Sequence, residues 1–195
     1  MKTSIVLTGV GGQGVITATN ILGKAAVNAG VKVYASEVHG MAQRGGSVYC
    51  TVRMGDVSSP LIASGTANVI VSTEPIEALR YIQYANKKTK VITDTNPVVP
   101  FTVNVGGETY PSLDEVYDAI SSHAELITLD ALQIAKDAGA RITKNIVLLG
   151  GLAETGLLPF DSDILLDTIF ANVPSKFKSV NDTAFKGGMK AVKKK

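Results

Sequence analysis

A glycine-rich turn, set between an apolar β-type run and an amphipathic helical pattern, constrains this chain more than any other feature. Ser4-Ile5-Val6-Leu7-Thr8 is short, apolar and β-branched, the pattern of a buried strand. Gly9-Val10-Gly11-Gly12-Gln13-Gly14 follows at once. Val15, Ile16, Ile21, Leu22, Ala25 and Ala26 then fall near one face of a helix that runs to about Ala29. Val31 to Ala35 reads as the next strand, so the unit is β-α-β with the spacing G-x-G-x-x-G in its first turn. Glycine permits the tight turn, and the free N–H groups at the helix start can face a phosphate or carboxylate. A strand-to-helix turn that binds nothing has the same local pattern.

The stretch Ser36-Glu37-Val38-His39-Gly40-Met41-Ala42-Gln43-Arg44-Gly45-Gly46 is too polar and glycine-rich for a strand or buried helix. It is expected to be a loop beyond the second strand. In an open parallel sheet such a loop lies at the same carboxyl edge as the first glycine turn. Candidate binding residues are therefore Gly9, Gly11, Gly12, Gln13 and Gly14 from the turn, with Glu37, His39, Gln43, Arg44, Gly45 and Gly46 from the loop. Arg44 offers a fork for a carboxylate or phosphate. Glu37 either holds a ribose hydroxyl, as in dinucleotide-binding domains, or orients Arg44.

Beyond this unit, Ser47–Met54 alternates as a half-buried strand antiparallel to a neighbour, with Val48, Cys50, Val52 and Met54 on the inner face. Ala67–Ser72, Lys90–Asp94 and Leu126–Leu129 read as further strands. Helices are expected over Glu74–Ala85, over Ser112–Ser122 with a Ser112/Glu115 capping box, over Ala131–Ala138, over Thr143–Leu158 and over Ile164–Phe170. Phe101–Val105, between prolines and a Gly106-Gly107 turn, reads as an irregular β excursion. Gly150-Gly151 inside an apolar helix implies close approach of another backbone, within the fold or across a subunit contact. Val180–Lys195 reads as a basic, partly helical tail interrupted by Gly187-Gly188. The expected architecture is one domain over residues 1–195: a Rossmann-like, three-layer α/β/α arrangement whose mainly parallel sheet carries an antiparallel addition.

Composition limits the chemistry. With 195 residues, 45 % of them apolar, one sizeable core is the expectation. No run approaches the roughly 18 apolar residues of a membrane helix, and no signal-peptide pattern opens the chain, so a cytoplasmic protein is expected. The net charge of +2 is uneven, with seven lysines between Lys176 and Lys195. No aromatic platform or recognition helix accompanies them, so nucleic acid is not expected as a partner. One cysteine cannot supply the about four thiolates of an iron–sulfur cluster, and His39 and His123 have no metal-ligand spacing. Gly14 is followed by Val15-Ile16 rather than Lys-Ser/Thr, which excludes a nucleoside-triphosphate P-loop.

The turn Gly11-Gly12-Gln13-Gly14-Val15, followed about thirty residues later by Arg44-Gly45-Gly46, resembles the gamma-type subunit of the 2-oxoacid:ferredoxin oxidoreductases. The His39-Gly40-Met41-Ala42-Gln43 form before Arg44 is most similar to the small subunit of the indolepyruvate-type enzymes, and Asn145, Leu149-Gly150-Gly151 and Phe185-Lys186-Gly187 also match. The resemblance implies oxidative decarboxylation of a 2-oxoacid to an acyl-CoA with ferredoxin as acceptor. It also implies a larger partner subunit carrying thiamine diphosphate, magnesium and the iron–sulfur clusters. Coenzyme A enters as a substrate, and neither a catalytic residue nor a cofactor belongs to this chain alone. The magnesium–thiamine signature Gly-Asp-Gly is indeed broken at Gly55-Asp56-Val57. Two other readings stand beside this one: the gamma subunit of a pyruvate, 2-oxoglutarate or branched-chain 2-oxoacid enzyme, and a free-standing nucleotide-binding regulatory module.

Overall fold

The computed structural model describes residues 2–39, 45–99, 103, 106 and 109–193. Its strands are β1 (Thr3–Val10), β2 (Val33–His39), β3 (Ser47–Met54), β4 (Val69–Ser72), β5 (Lys90–Asp94) and β6 (Glu125–Leu129). The helices are α1 (Val15–Asn28), α2 (Pro75–Arg80), α3 (Leu113–Ser121), α4 (Ala131–Asp137), α5 (Lys144–Glu154), α6 (Ser162–Ala171) and α7 (Lys178–Lys193). They build a three-layer α/β/α domain around a six-stranded sheet of order β2-β3-β1-β4-β5-β6. β1, β4, β5 and β6 run parallel, and β3 is antiparallel to both β1 and β2.

Alternation along β1 assigns the two cores. Ile5 and Leu7 face the larger one, with Leu22 and Ala25 of α1, Leu148, Leu149 and Leu152 of α5, Leu165 of α6 and Phe185 of α7. Val6 faces the smaller core with Ala78 of α2 and Val116 and Ile120 of α3. Local signals place several helix starts. Glu74 caps α2 by accepting from the Glu77 N–H, with Pro75 in the first turn. Ser112 and Glu115 form a reciprocal capping box on α3.

The structure corrects the sequence reading in four places. Ser47–Met54 is antiparallel as expected but lies between β2 and β1, so the two strands of the β-α-β unit are not neighbours. Ser36 to His39 belong to β2 rather than to a loop, because pairing with β3 from Val33↔Met54 to His39↔Val48 satisfies their backbone. Gly187-Gly188 does not interrupt the last helix, which is continuous from Lys178 to Lys193. Of the expected β excursion, Val103 and Gly106 are helical, and 101–102 and 104–105 lie outside the described residues.

The glycine pairs of α5 and α7 explain each other. A Cβ on Gly150 would sit 2.0 Å from the Phe185 carbonyl oxygen, and one on Gly188 would sit 1.9 Å from that of Val147. The two helices therefore cross backbone to backbone, inside the fold.

Candidate functional site

Both glycine loops lie at the carboxyl edge of the sheet and are joined there. The Gly11 N–H donates to the Gly46 carbonyl at 2.8 Å, and the Gly45 N–H donates to the Gly11 carbonyl at 3.3 Å. Gln13 turns back into its own loop: its Oε1 accepts from the Val10 N–H at 3.2 Å and from the Thr73 hydroxyl. Its amide thus fixes the turn to the segment after β4. At Gly9, a Cβ would fall 1.8 Å from Thr73 Oγ1 and 3.0 Å from its Cβ, so any other residue would displace Thr73 and its bond to Gln13. Gly14 caps α1 with φ of 79°, a left-handed conformation natural to glycine, and offers no side chain to the first-turn N–H groups. These N–H groups and the positive end of the helix dipole remain available to an anion.

They open onto a cavity of about 820 Å³. Gly12, Gln13, Gly14 and Thr17 form one wall, Asn96–Val98 a second, and Arg141–Asn145 a third. Ile21, Leu132 and Val180 contribute apolar surface, and Phe177 stands at the rim. A second depression, of about 530 Å³, lies near Gly30–Lys32 and Gly55 at the opposite edge, away from the glycine loops.

Beneath the cavity runs a buried polar network. Lys144 Nζ lies 3.0 Å from Asp94 Oδ2 and donates to the Thr73 carbonyl at 2.9 Å. The other oxygen, Asp94 Oδ1, accepts from the Ala131 N–H and from Asn96 Nδ2, both at 3.0 Å. Oδ2 gains no directed hydrogen bond, so its contact with Lys144 is an ion pair. Asn145 Nδ2 donates to the Gly14 carbonyl at 3.2 Å, and a Cβ on Gly14 would meet that amide at 2.7 Å. Glu74 Oε1 accepts from the Val98 N–H at 3.3 Å and from the Tyr110 hydroxyl. Burial, aided by the Glu74 carboxylate, pushes the Tyr110 hydroxyl far above its ordinary range. The network ties β4, β5, α4 and α5 to the glycine turn, so the cavity floor is rigid.

The sequence-based candidates divide accordingly. Gly9, Gly11, Gly12, Gln13, Gly14, Gly45 and Gly46 come together at one edge. Gln43 and Arg44 lie outside the described residues, two positions and one position before the Gly45 that is bonded to Gly11. His39 ends β2, opposite Val48. Glu37 sits opposite Cys50 on the exposed edge strand. Because β3 intervenes, β2 lies two strand spacings, about 10 Å, from β1, which removes the ribose-holding position a dinucleotide domain places on the neighbouring strand. Lys144, Asp94, Thr73 and Arg141 escaped the sequence reading as site residues. The available signal was Lys144 beside Asn145 at the start of an otherwise apolar helix.

Among the described residues, the donor set matches neither an iron–sulfur cluster nor a bound metal. The one thiol, Cys50, is fully buried in the core, and burial raises its pKa. Among the described residues, no three His, Cys, Asp or Glu side chains are grouped to hold a metal ion. No helix among them is long and apolar enough to cross a membrane.

Together, the edge, the paired glycine loops and the match of residues 4–191 place the chain in the pyruvate ferredoxin/flavodoxin oxidoreductase family, to which it belongs. It is 45 % identical over 193 residues to the indolepyruvate oxidoreductase subunit IorB of Thermococcus kodakarensis, an alignment covering 97 % of this chain and 96 % of the relative. The IorB subunit of Pyrococcus horikoshii is 46 % identical over the same shares of the two chains. The fold recurs, at 21 % identity and a TM-score of 0.74, in the 2-oxoglutarate:ferredoxin oxidoreductase of Magnetococcus marinus, solved with 2-oxoglutarate, coenzyme A and succinyl-CoA bound. That alignment covers 100 % of this chain and 31 % of the longer one.

Proposed function

We propose that this chain is the small subunit of an indolepyruvate ferredoxin oxidoreductase. Its assembly converts an aryl-pyruvate, coenzyme A and oxidised ferredoxin into aryl-acetyl-CoA, carbon dioxide and reduced ferredoxin. The observation that carries this reading is the near-full-length likeness to two IorB subunits, at 45 % and 46 % identity. It is supported by a donor set that suits no cluster and a Gly55-Asp56-Val57 that departs from the magnesium–thiamine signature. A larger subunit therefore holds thiamine diphosphate, magnesium and the iron–sulfur clusters, and the complex works in the cytoplasm. On that subunit, thiamine diphosphate supplies the decarboxylation chemistry and the clusters relay electrons to ferredoxin.

This chain's own contribution is an anion-binding wall. The first-turn N–H groups of α1 meet an apolar-lined cavity, and the loop bearing Arg44 is bonded to the same turn through Gly45 and Gly46. A carboxylate of the 2-oxoacid or a phosphate of coenzyme A suits that wall. The test of the reading is co-purification from the native source, followed by assay of coenzyme A-dependent ferredoxin reduction with indolepyruvate. A chain that emerges alone and binds a nicotinamide dinucleotide tightly would refute it. Within the active complex, Arg44→Ala is expected to raise the Michaelis constant for one anionic substrate about ten- to a hundredfold, the equivalent of about 1.5–3 kcal/mol. Unchanged constants for both 2-oxoacid and coenzyme A would end the assignment of Arg44.

A further inference from the structure

We propose that the chain pairs with a second copy of itself, edge to edge through β2, about a two-fold axis that passes Ser36. β2 is one end of the sheet, and its outer side has no paired strand among the described residues. The Gly55 N–H donates to the Lys32 carbonyl at 2.9 Å, which fixes the phase of the β2–β3 ladder. Carried along the register, residues 34, 36 and 38 bond to β3, whereas the N–H and C=O groups of Val33, Ala35, Glu37 and His39 point outward.

Among the described residues, several of the usual protections of an edge are missing here. The strand runs seven residues without proline or bulge. The nearby Lys32 ammonium folds back over the Tyr34 ring, 5.5 Å from its centroid, and leaves the edge clear. Helices α2 and α3 cover β1, β4 and β5 on that face of the sheet, so Tyr34 and Val38 stay 37 % and 47 % exposed. At the other end of the sheet, α3 and α7 pack against β6.

The outward ladder selects both the occupant and the register. An antiparallel copy must pair odd residues with odd residues, so the axis passes one of residues 34 to 38, and at 34 or 38 only three residues of the strand find partners. An axis at Glu37 sets two carboxylates opposite each other, which is destabilising. An axis at Ala35 leaves the His39 end unpaired. The axis at Ser36 alone pairs all seven residues of the strand, from Val33 with His39 of the second copy onward. It sets Tyr34 against Val38, an aromatic–β-branched pair occurring twice by symmetry, and Glu37 against Ala35. About eight backbone hydrogen bonds join the two six-stranded sheets into one.

Engineered cysteines test this. At the axis, the two Ser36 positions form a non-hydrogen-bonded pair with Cα atoms about 4.5 Å apart, inside the range a disulfide bridges. Under mild oxidation, the full chain carrying Ser36→Cys should run on a non-reducing gel at twice its 20.4 kDa mass, and Cys50 is too deeply buried to compete. Ala35→Cys should give little of this species. Ser36→Asp should halve the mass seen by light scattering, as should Ser36→Lys, and an equal mixture of the two variants should restore the dimer. The same masses are read in the co-purified assembly. A monomeric wild-type chain, a cross-link favoured at Ala35, or an assembly with one copy of the chain and β2 amides protected by another subunit would each overturn the proposal.

Discussion

The crossing of α5 and α7 allows one substitution to be tested against its own chemical control. Gly→Ala in a helix interior normally stabilises by about 0.8–1.0 kcal/mol, because alanine loses less backbone freedom on folding. Gly23, within α1, has nothing within 4 Å of where a Cβ would stand, so Gly23→Ala should show this gain. Gly150→Ala makes the same change where the new carbon would lie 2.0 Å from the Phe185 carbonyl oxygen and 2.9 Å from its carbonyl carbon. Ordinary contact begins near 3.4 Å, so the helices must separate by more than 1 Å, and no rotamer change relieves a clash with backbone. A gap of that size removes a quarter to a half of the dispersion energy at each contact it opens. The contacts at stake belong to Phe185, Leu149, Leu152 and Val147, all buried. Overpacking of this kind costs about 1–3 kcal/mol, and a backbone-to-backbone clash belongs at or above the upper end. After the propensity gain is subtracted, Gly150→Ala should lose about 2 kcal/mol, lowering Tm by roughly 4–8 °C. Urea denaturation of both variants, at equal m-values, measures the difference. A Gly150→Ala chain as stable as wild type would show that the crossing is looser than the structure has it.

Asp94→Ala should destabilise by about 3–5 kcal/mol in the same assay, since it strands the buried Lys144 ammonium and frees the Ala131 N–H. In a double-mutant cycle Lys144→Met should recover part of that loss, and additive effects would refute the pairing. Cys50, buried with its pKa raised, should resist iodoacetamide in the folded chain and react once urea unfolds it. The unfolded thiol ionises above about pH 8.5 while the folded one does not, so stability should fall as pH rises through that value, and Cys50→Ala should remove this component. Glu115, with its pKa lowered by the Ser112 side chain and backbone, supports α3 above the ordinary carboxylate pKa and ceases to do so as pH falls through its depressed folded value. Ser112→Ala should destabilise the chain at neutral pH and do so less in acid, where only the bond from the Glu115 N–H to Ser112 is at stake, and an equal loss at both would count against the capping box.

The features legible in the sequence are those set by neighbours within a few residues. The strand–turn–helix around Gly9–Gly14 follows from a change of period and from glycine's access to left-handed backbone, and it appears with Gly14 at φ 79° capping α1. The starts of α2 at Glu74-Pro75 and of α3 at Ser112 follow from side chains that reach backbone N–H groups three residues on. What tertiary structure alone decided are partnerships between distant segments. No local pattern states that β3 lies between β1 and β2, because a strand's alternation shows which face is buried and not which strand lies beside it. Glu37 and His39 look like loop residues until β3 pairs with them. Gly187-Gly188 looks like a break until Val147 of another helix needs the space. Lys144 and Asp94, fifty positions apart, are each ordinary polar residues in sequence. Burial at the cavity floor, where an unpaired charge is strongly disfavoured, makes them an ion pair.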